Sequence, residues 1–393
     1  KTNICIIIFS MVLVFAFIVN ESKFQEYPTI NEDGKIKKIR GKEAINLIHN
    51  SSEVEGYLSN DRLEKYLIKY RDIAKEYDEN DIDSVKSAIR YANLGGLIEA
   101  SFKANNQEYV PRLDIEHLTD KEAASYYNIR EENQKIFFIN AFEGNSAILE
   151  RIGEMESKVQ KPFYATQFIG WDSVIGSFNL IFILISLLCC FIISPIFTVS
   201  YSSGEDEIFR TTINGSRHLG KVKVIASLIE SLILFFLTII SYIGSAIYIY
   251  GFEGMKTSVQ VAINPMLPYP FSVGDLVLYI IIIGFCCIFY LTSFITYISS
   301  KTKSILISSS LSILTVVLCI FIIGFANFDG ELWKLIIRLF PTGGISIYTD
   351  IIDEMMFFSI GKFAIGVGEV FIISSIVMGI ILFVLTNRSY KKY

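Results

Sequence analysis

Apolar residues along the chain gather into long runs, divided by polar stretches of very unequal size. Ile4 to Val19, Val174 to Val199, Val224 to Tyr250, Val273 to Ser299, Ser304 to Ala326 and Ala364 to Thr386 are almost wholly apolar. About 20 such residues, wound as a helix, cross about 30 Å of hydrocarbon. Six membrane spans are therefore expected. The first run lacks a small-residue cleavage site ahead of Asn20, so it reads as a retained span rather than a removed signal. It begins almost at Lys1, and further cytoplasmic sequence is expected ahead of it.

The polar stretch from Asn20 to Asp172 has a different character, with dense charge, many Tyr and helical periodicity. Its length is enough for a core of its own. Helices are expected over Gly41 to Ile48, over Asp61 to Tyr77 with Leu63, Tyr66, Leu67 and Tyr70 on one face, and over Asp83 to Leu94, stopping at Gly95-Gly96. Thr119-Asp120-Lys121-Glu122 fits a capping box, predicting a long helix that breaks near Gly144 and runs toward Lys161-Pro162. Lys35 to Arg40 reads as a short extended piece. In Phe328 to Lys362, Leu332, Leu335, Ile336, Leu339 and Phe340 share one helical face, with Lys334 and Arg338 off it. That pattern suits a helix lying on the outer leaflet or a pair of re-entrant helices.

The fold class expected is an all-α polytopic membrane protein with a large, mainly helical extracellular domain between its first and second spans. The division is 1–19 (first span), 20–172 (outer domain), 173–200, 201–223 (cytoplasmic segment), 224–250, 273–299, 304–326, 327–363 (outer interfacial or re-entrant helices), 364–386 and 387–393 (cytoplasmic tail). Orientation follows the basic residues of the short loops. Arg210, Arg217, Lys221, Lys223, Lys301, Lys303, Arg388, Lys391 and Lys392 mark the cytoplasmic side, against Lys256, Lys334, Arg338 and Lys362 on the other. Both termini are then inside and residues 20–172 outside, in a multi-pass protein of the cell membrane.

Composition agrees: 52% of residues are hydrophobic and the mean hydropathy is +0.45, both above the usual range of soluble domains. The net charge of −5, with no basic stripe carrying interleaved aromatics, gives no reason to expect a nucleic-acid partner. Cys5, Cys189, Cys190, Cys286, Cys287 and Cys319 all fall in apolar runs and read as small hydrophobes rather than a disulfide framework.

Catalytic signatures are missing. The sequence has no HExxH, GxSxG, CxxC or GxxxxGK[ST] pattern. His49, His117 and His218 have no ligand spacing, and Asp78 to Asp83 lacks the Gly a calcium loop needs. No catalytic, cofactor or metal site is expected in this chain. If ATP and Mg drive it, they sit on another polypeptide.

The stretch Tyr201 to Lys223, YSSGEDEIFRTTINGSRHLGKVK, is the one compact charged interruption between two spans. Acidic Glu205, Asp206 and Glu207 open it and basic residues close it, which suits the dipole of a short helix. Its residue order resembles the first cytoplasmic loop of ABC-2 type permeases, the membrane subunits of ATP-driven exporters. Tyr201-Ser202-Ser203-Gly204, then Thr211-Thr212, then Gly215, Arg217 and His218, and finally Lys223 carry the likeness. Asn264 to Phe271, NPMLPYPF, resembles the Tyr-Pro-Phe entry of the same family. Where the family often has an acid before the Tyr, this chain has Ser200, so no role for that carboxylate carries over. The likeness covers the chain from about Trp171 onward.

The resemblance implies a coupling helix docked on a separate ATP-binding subunit, with a second permease copy or a homologous permease completing a dimer in contact with membrane lipid. Gly204, Glu205, Ile208, Phe209, Arg210, Ile213, Gly215, Arg217, His218 and Lys221 would make the docking contact, with Ile208, Phe209 and Ile213 as apolar knobs. Phe178 and Phe182 of the second span, with Phe321 and Phe325 of the fifth, would border a path between subunits, although a stripe such as Phe178, Phe182, Ile185 and Cys189 more often marks helix packing. Glu230 is an ionisable residue within a span, and pairing with Lys223 or Arg217 is its plain explanation. Glu369 suits the first turn of the last span by dipole alone.

Two other classes compete with an exporter subunit for a peptide or an amphipathic, lipid-like substrate. A secondary transporter predicts discontinuous helices and midplane charges in related halves, a pattern the sequence does not display. A membrane-anchored sensor would use the outer domain to bind a peptide such as an antimicrobial.

Overall fold

A computed structural model describes residues 2–31, 36–52, 54–103, 119–325 and 331–392. Lys1, Lys35, His117, Ala326 and Phe328, named above, lie outside them. The described chain is mostly helical, and six of its helices are long and apolar enough to cross a membrane.

Helix α1 (Thr2–Ser22) lies beside the third span and runs in the same direction. Asn3 Nδ2 donates to Glu230 (3.4 Å), Ser10 pairs with Thr238 (2.8 Å) and Ser241 Oγ donates to the Met11 carbonyl (3.0 Å). Strands β1 (Glu26–Ile30) and β2 (Ile36–Arg40) then pair antiparallel, from Glu26 opposite Arg40 to Ile30 opposite Ile36. The extended piece expected here is therefore half of a hairpin.

Helix α2 (Lys42–Ser51) buries Ala44, Ile45 and Ile48. Strand β3 (Gly56–Tyr57) precedes α3 (Asn60–Lys75), which Ser59 caps by accepting from Arg62 N and which buries Leu63, Tyr66 and Leu67. Helix α4 (Ile82–Lys103) does not stop at Gly95-Gly96. Two glycines cost a helix interior about 2 kcal/mol, and tertiary bonds hold the helix through them. The Tyr66 hydroxyl donates to the carbonyls of Arg90 and Tyr91, and beyond the glycines Ser101 bonds the Tyr126 hydroxyl (2.9 Å) while its carbonyl accepts from Asn133 (2.8 Å).

The capping box at Thr119 and Glu122 forms as expected. Its helix, α5 (Asp120–Ala124), is one turn long, and α6 (Tyr126–Ala141) restarts after Ser125. Gly144, at φ +73°, makes the anticipated break before α7 (Ser146–Glu156). Strand β4 (Tyr164–Ala165) returns to pair with β3. Leu58, Leu63, Leu67, Tyr91, Tyr126 and Phe163 form this domain's core, and Val261 completes it from the loop between the third and fourth spans.

Helix α8 (Trp171–Gly176) leads into the second span, which is two helices, α9 (Phe178–Ile193) and α10 (Pro195–Ser203). Pro195 cannot donate a helical bond and starts the new helix. The Ser194 carbonyl at the joint accepts from Ser299 (2.7 Å) and Ser308 (3.2 Å), fastening the break to the fourth and fifth spans. Helix α11 (Glu205–Thr211) follows, and then α12 (Ile213–Tyr250). Those 38 residues make a rod of about 57 Å. The expected boundary at Lys223 is not a break, so the stretch Tyr201 to Lys223 is the end of α10, α11 and the head of α12.

A 3-10 turn (Glu253–Lys256), α13 (Val259–Ala262) and a Ser272–Asp275 capping box lead into α14 (Val273–Lys301). Helix α15 (Ile305–Phe325) is the fifth span and α16 (Glu331–Arg338) follows it. Strands β5 (Phe357–Ile360) and β6 (Phe363–Gly366) form a hairpin before α17 (Val367–Lys392), so the last span starts three residues later than the apolar run suggests.

The segment after α16 penetrates the bundle. The Leu339 carbonyl accepts from Tyr290 (3.3 Å), and a Cβ on Gly344 would stand 2.3 Å from Cys287 Sγ. Both partners lie midway along α14, so the segment packs into the helix bundle. Arg338, expected off the apolar face and toward solvent, is buried. It makes a two-pronged bond to Asp350 (2.7 and 3.2 Å), whose second oxygen also accepts from Ser346 (2.7 Å).

Candidate functional site

The end of the molecule that carries α11 is built from a few residues with little freedom. Gly204, at φ +76°, turns the chain out of α10 in a left-handed conformation that favours glycine. Glu205, Asp206 and Glu207 occupy the first turn of α11, where the helix dipole favours acids. Thr212 closes α11 and opens α12 at once: its hydroxyl donates to the Phe209 carbonyl (2.7 Å) and accepts from Gly215 N (3.0 Å). A Cβ on Gly215 would lie 1.7 Å from the Phe209 carbonyl oxygen. Backbone meets backbone there, so only glycine fits, and α11 is seated directly on the head of the long α12 rod.

Of the expected docking residues, Ile208 is 69% exposed and Phe209 45% exposed, with Glu205, His218 and Lys221 exposed beside them. The side chains of Arg210, Ile213, Arg217 and Phe325 are outside those described. Large apolar side chains held in water on a polar helix at the end of a bundle are what a partner's groove takes up.

Asp206 behaves differently from its neighbours. It is 5% exposed, and its Oδ1 accepts from the Tyr390 hydroxyl at 2.7 Å. Tyr390 packs with Phe197 and Val224 in a small core of its own at this end. Lys223 donates to Ser200 Oγ (2.7 Å) and lies 5.1 Å from the Phe197 ring centroid. Glu230 is joined to Asn3 of α1 rather than to Lys223, two turns away on the same helix.

The supposed path residues divide. Phe178 and Phe182 are buried within this one chain, the first edge-on to Tyr242 and the second stacked on Phe235 and pressed against Gly284. Both pack helices within this chain. Phe321 is 60% exposed on α15. Beside that helix, an apolar cleft of about 650 Å³ lies among Tyr290, Phe294, Leu318, Cys319, Ile337 and Phe340.

At the opposite end the domain of residues 20–172 is clamped to the loop between α12 and α14. Arg130 Nε donates to the Pro265 carbonyl (2.6 Å), and Gln134 Nε2 to that of Met266 (2.9 Å). Arg130 and Gln134 both also bind Glu156 (2.6 and 3.0 Å), as does Lys161 (3.1 Å). Burial pushes the Glu156 carboxyl up, but these bonds outweigh it and hold the group below its usual range. Between α6 and α7, next to this network, is a cleft of about 460 Å³ floored by Phe138, Leu149 and Ile152.

Sequence reasoning did not find Arg130 with Glu156, Arg338 with Asp350, or Asp206 with Tyr390. The signal available was an Arg and an Asp within a weakly polar segment that has no second apolar face to explain them. Among the described residues, no group of three or more His, Cys, Asp or Glu side chains is placed to hold a metal. No family model matches the chain, no curated protein matches it, and neither does any solved structure.

Proposed function

We propose that this chain is the membrane permease subunit of an ATP-driven ABC exporter of the ABC-2 type, moving a peptide or an amphipathic, lipid-like substrate out of the cell. The observation that carries the reading is α11, which presents Ile208 and Phe209 outward while Gly215 seats it against the head of a 38-residue helix. Force applied to such a knob is passed along a rod, not absorbed in a loop. The ATP-binding subunit would grip α11, and closure of the ATPase pair would bias the bundle between two states. A second permease copy or a homologous one completes the path. By the excess of basic residues at the α11 end, that end is cytoplasmic and the outer domain extracellular, in a bacterial plasma membrane. In this chain Lys223 donates to the neutral Ser200 hydroxyl, where the family often has a carboxylate. The apolar cleft beside α15 supports a substrate with a hydrophobic part.

The test is Phe209→Asp in the full chain. Membrane insertion and melting should be unchanged, while an ATP-hydrolysing subunit that co-purifies with the natural protein is lost by more than tenfold. Retention of that subunit at natural yield with unaltered hydrolysis rejects the docking surface. A second reading, a membrane-anchored sensor that binds a peptide outside the cell, is favoured by the cleft between α6 and α7. It predicts peptide binding by the outer domain with no ATPase attached.

A further inference from the structure

Asp206 poses a question that the helix dipole does not answer. The dipole rewards Glu205 and Glu207 without removing them from water, yet Asp206, in the same turn, is 5% exposed. Burying a carboxylate is unfavourable unless donors meet it, and one donor here comes from the far end of the chain. Tyr390 is itself 2% exposed. Its ring meets Phe197 of α10 at 5.7 Å between centroids, and a Cβ on Gly220 of α12 would stand 3.0 Å from it. One tyrosine of α17 is thus wedged among α10, α11 and α12, with its hydroxyl spent on α11.

Helix α17 is also held along its length. Gly368 and Gly379 bring it so close to α14 that a Cβ on either would collide with Tyr279 or Phe289. At its other end Glu369 accepts from Arg151 of α7 at 2.8 Å. The helix therefore has a bonded contact at the α11 end and another at the outer domain, with close packing between them.

We infer that Tyr390 is a positioning residue: it clips α11 in place and makes α17 a third rod moved by the cytoplasmic segment, beside α10 and α12, which are joined to it by the chain. What drives α11 rests on the exporter reading; the clip itself does not.

Hydrogen exchange on the full chain in lipid nanodiscs tests the clip. Tyr390→Phe keeps the ring and removes only the hydroxyl, and Asp206→Ala removes the acceptor. Each should speed exchange of the amides of residues 205–211 by about tenfold, the loss of one charge-assisted hydrogen bond. The double variant should be no faster than Asp206→Ala alone, because the hydroxyl has already lost its acceptor there. Asp206→Asn, whose amide oxygen still accepts from the phenol, should stay within about twofold of the natural chain. Unchanged exchange in Tyr390→Phe, or additive effects in the double variant, overturns the clip. A second arm uses the complex with its co-purifying ATP-binding subunit and a non-hydrolysable ATP analogue. In the natural chain the analogue should alter exchange at residues 367–371, and in Tyr390→Phe that response should fall to less than a third while the subunit stays bound. A full response in the variant overturns the role of α17. If no ATP-binding subunit co-purifies with the natural chain, the exporter reading fails, and the first arm still decides the clip.

Discussion

The two ends of the helix bundle treat polar and apolar groups in opposite ways. Away from α11, charged side chains are drawn inward and matched: Arg130 with Glu156 in the domain of residues 20–172, and Arg338 with Asp350 and Ser346 in the segment after α16. At the α11 end, apolar Ile208 and Phe209 are pushed outward and left without a cover. Buried charge must be satisfied within the molecule, because an unmatched ion in an apolar interior is strongly unfavourable. Exposed apolar surface can await a partner at modest expense. The Arg130 end therefore satisfies its own charges, whereas the α11 end presents the apolar surface on which the proposed docking rests.

The largest effect should come from breaking the Arg338–Asp350 pair. Both side chains are buried, so Asp350→Ala leaves a guanidinium without its partner and should destabilise the bundle by about 3–5 kcal/mol. A fall in melting temperature of the purified chain, with the segment after α16 becoming open to protease, would show it. The double variant Arg338→Met with Asp350→Leu sharpens the comparison. If the pair only fills space, the double variant melts near the natural temperature; if the charges also serve transport, it melts normally and transport alone is lost.

Next in size is the clamp at Glu156. Its folded carboxyl titrates below the ordinary value of 4.5, so the bonds contribute fully above that value and are lost as pH falls through the lowered one. The domain of residues 20–172 should loosen from residues 265–267 below about pH 4.5, read as a melting temperature that drops with pH in the natural chain. Glu156→Gln should start lower and show little of that slope. An equal slope in both would move the pH dependence to other carboxylates.

How much of this was legible in the sequence follows from the same contrast. The spans could be read because hydrocarbon demands a local property, about 20 apolar residues in a row. The α11 segment could be read because its exposed pattern and its glycines are also local: Gly204 for a left-handed turn and Gly215 for a backbone contact. What could not be read depends on partners far along the chain. Asp206 finds Tyr390 from 184 residues away, and Arg130 finds the Pro265 carbonyl from 135. Helix α4 passes its two glycines because of Tyr126 and Asn133, not because of its own propensities. Phe178 and Phe182 pack helices within the chain, as such a stripe more often does, and their spacing alone looks the same whether it faces a neighbour helix or a path.

The smallest effect tests whether the two ends communicate at all. Arg151 and Glu369 are both partly exposed, so their bond should contribute only about 0.2–1 kcal/mol, and Arg151→Ala should barely move the melting temperature. Glu369 would keep its second bond, from Gly366 N at 2.9 Å, so the start of α17 should stay formed. If α17 merely anchors the bundle, such a variant is silent everywhere. If α17 transmits between the ends, the same variant should still leave hydrogen exchange at residues 205–211 unchanged while weakening any effect of the α11 end on α7, because a linkage is lost when either bond at its ends is lost. Exchange measured at residues 146–156, with and without the ATP analogue on the complex, separates the two: a response equal to that of the natural chain leaves α17 as scaffold.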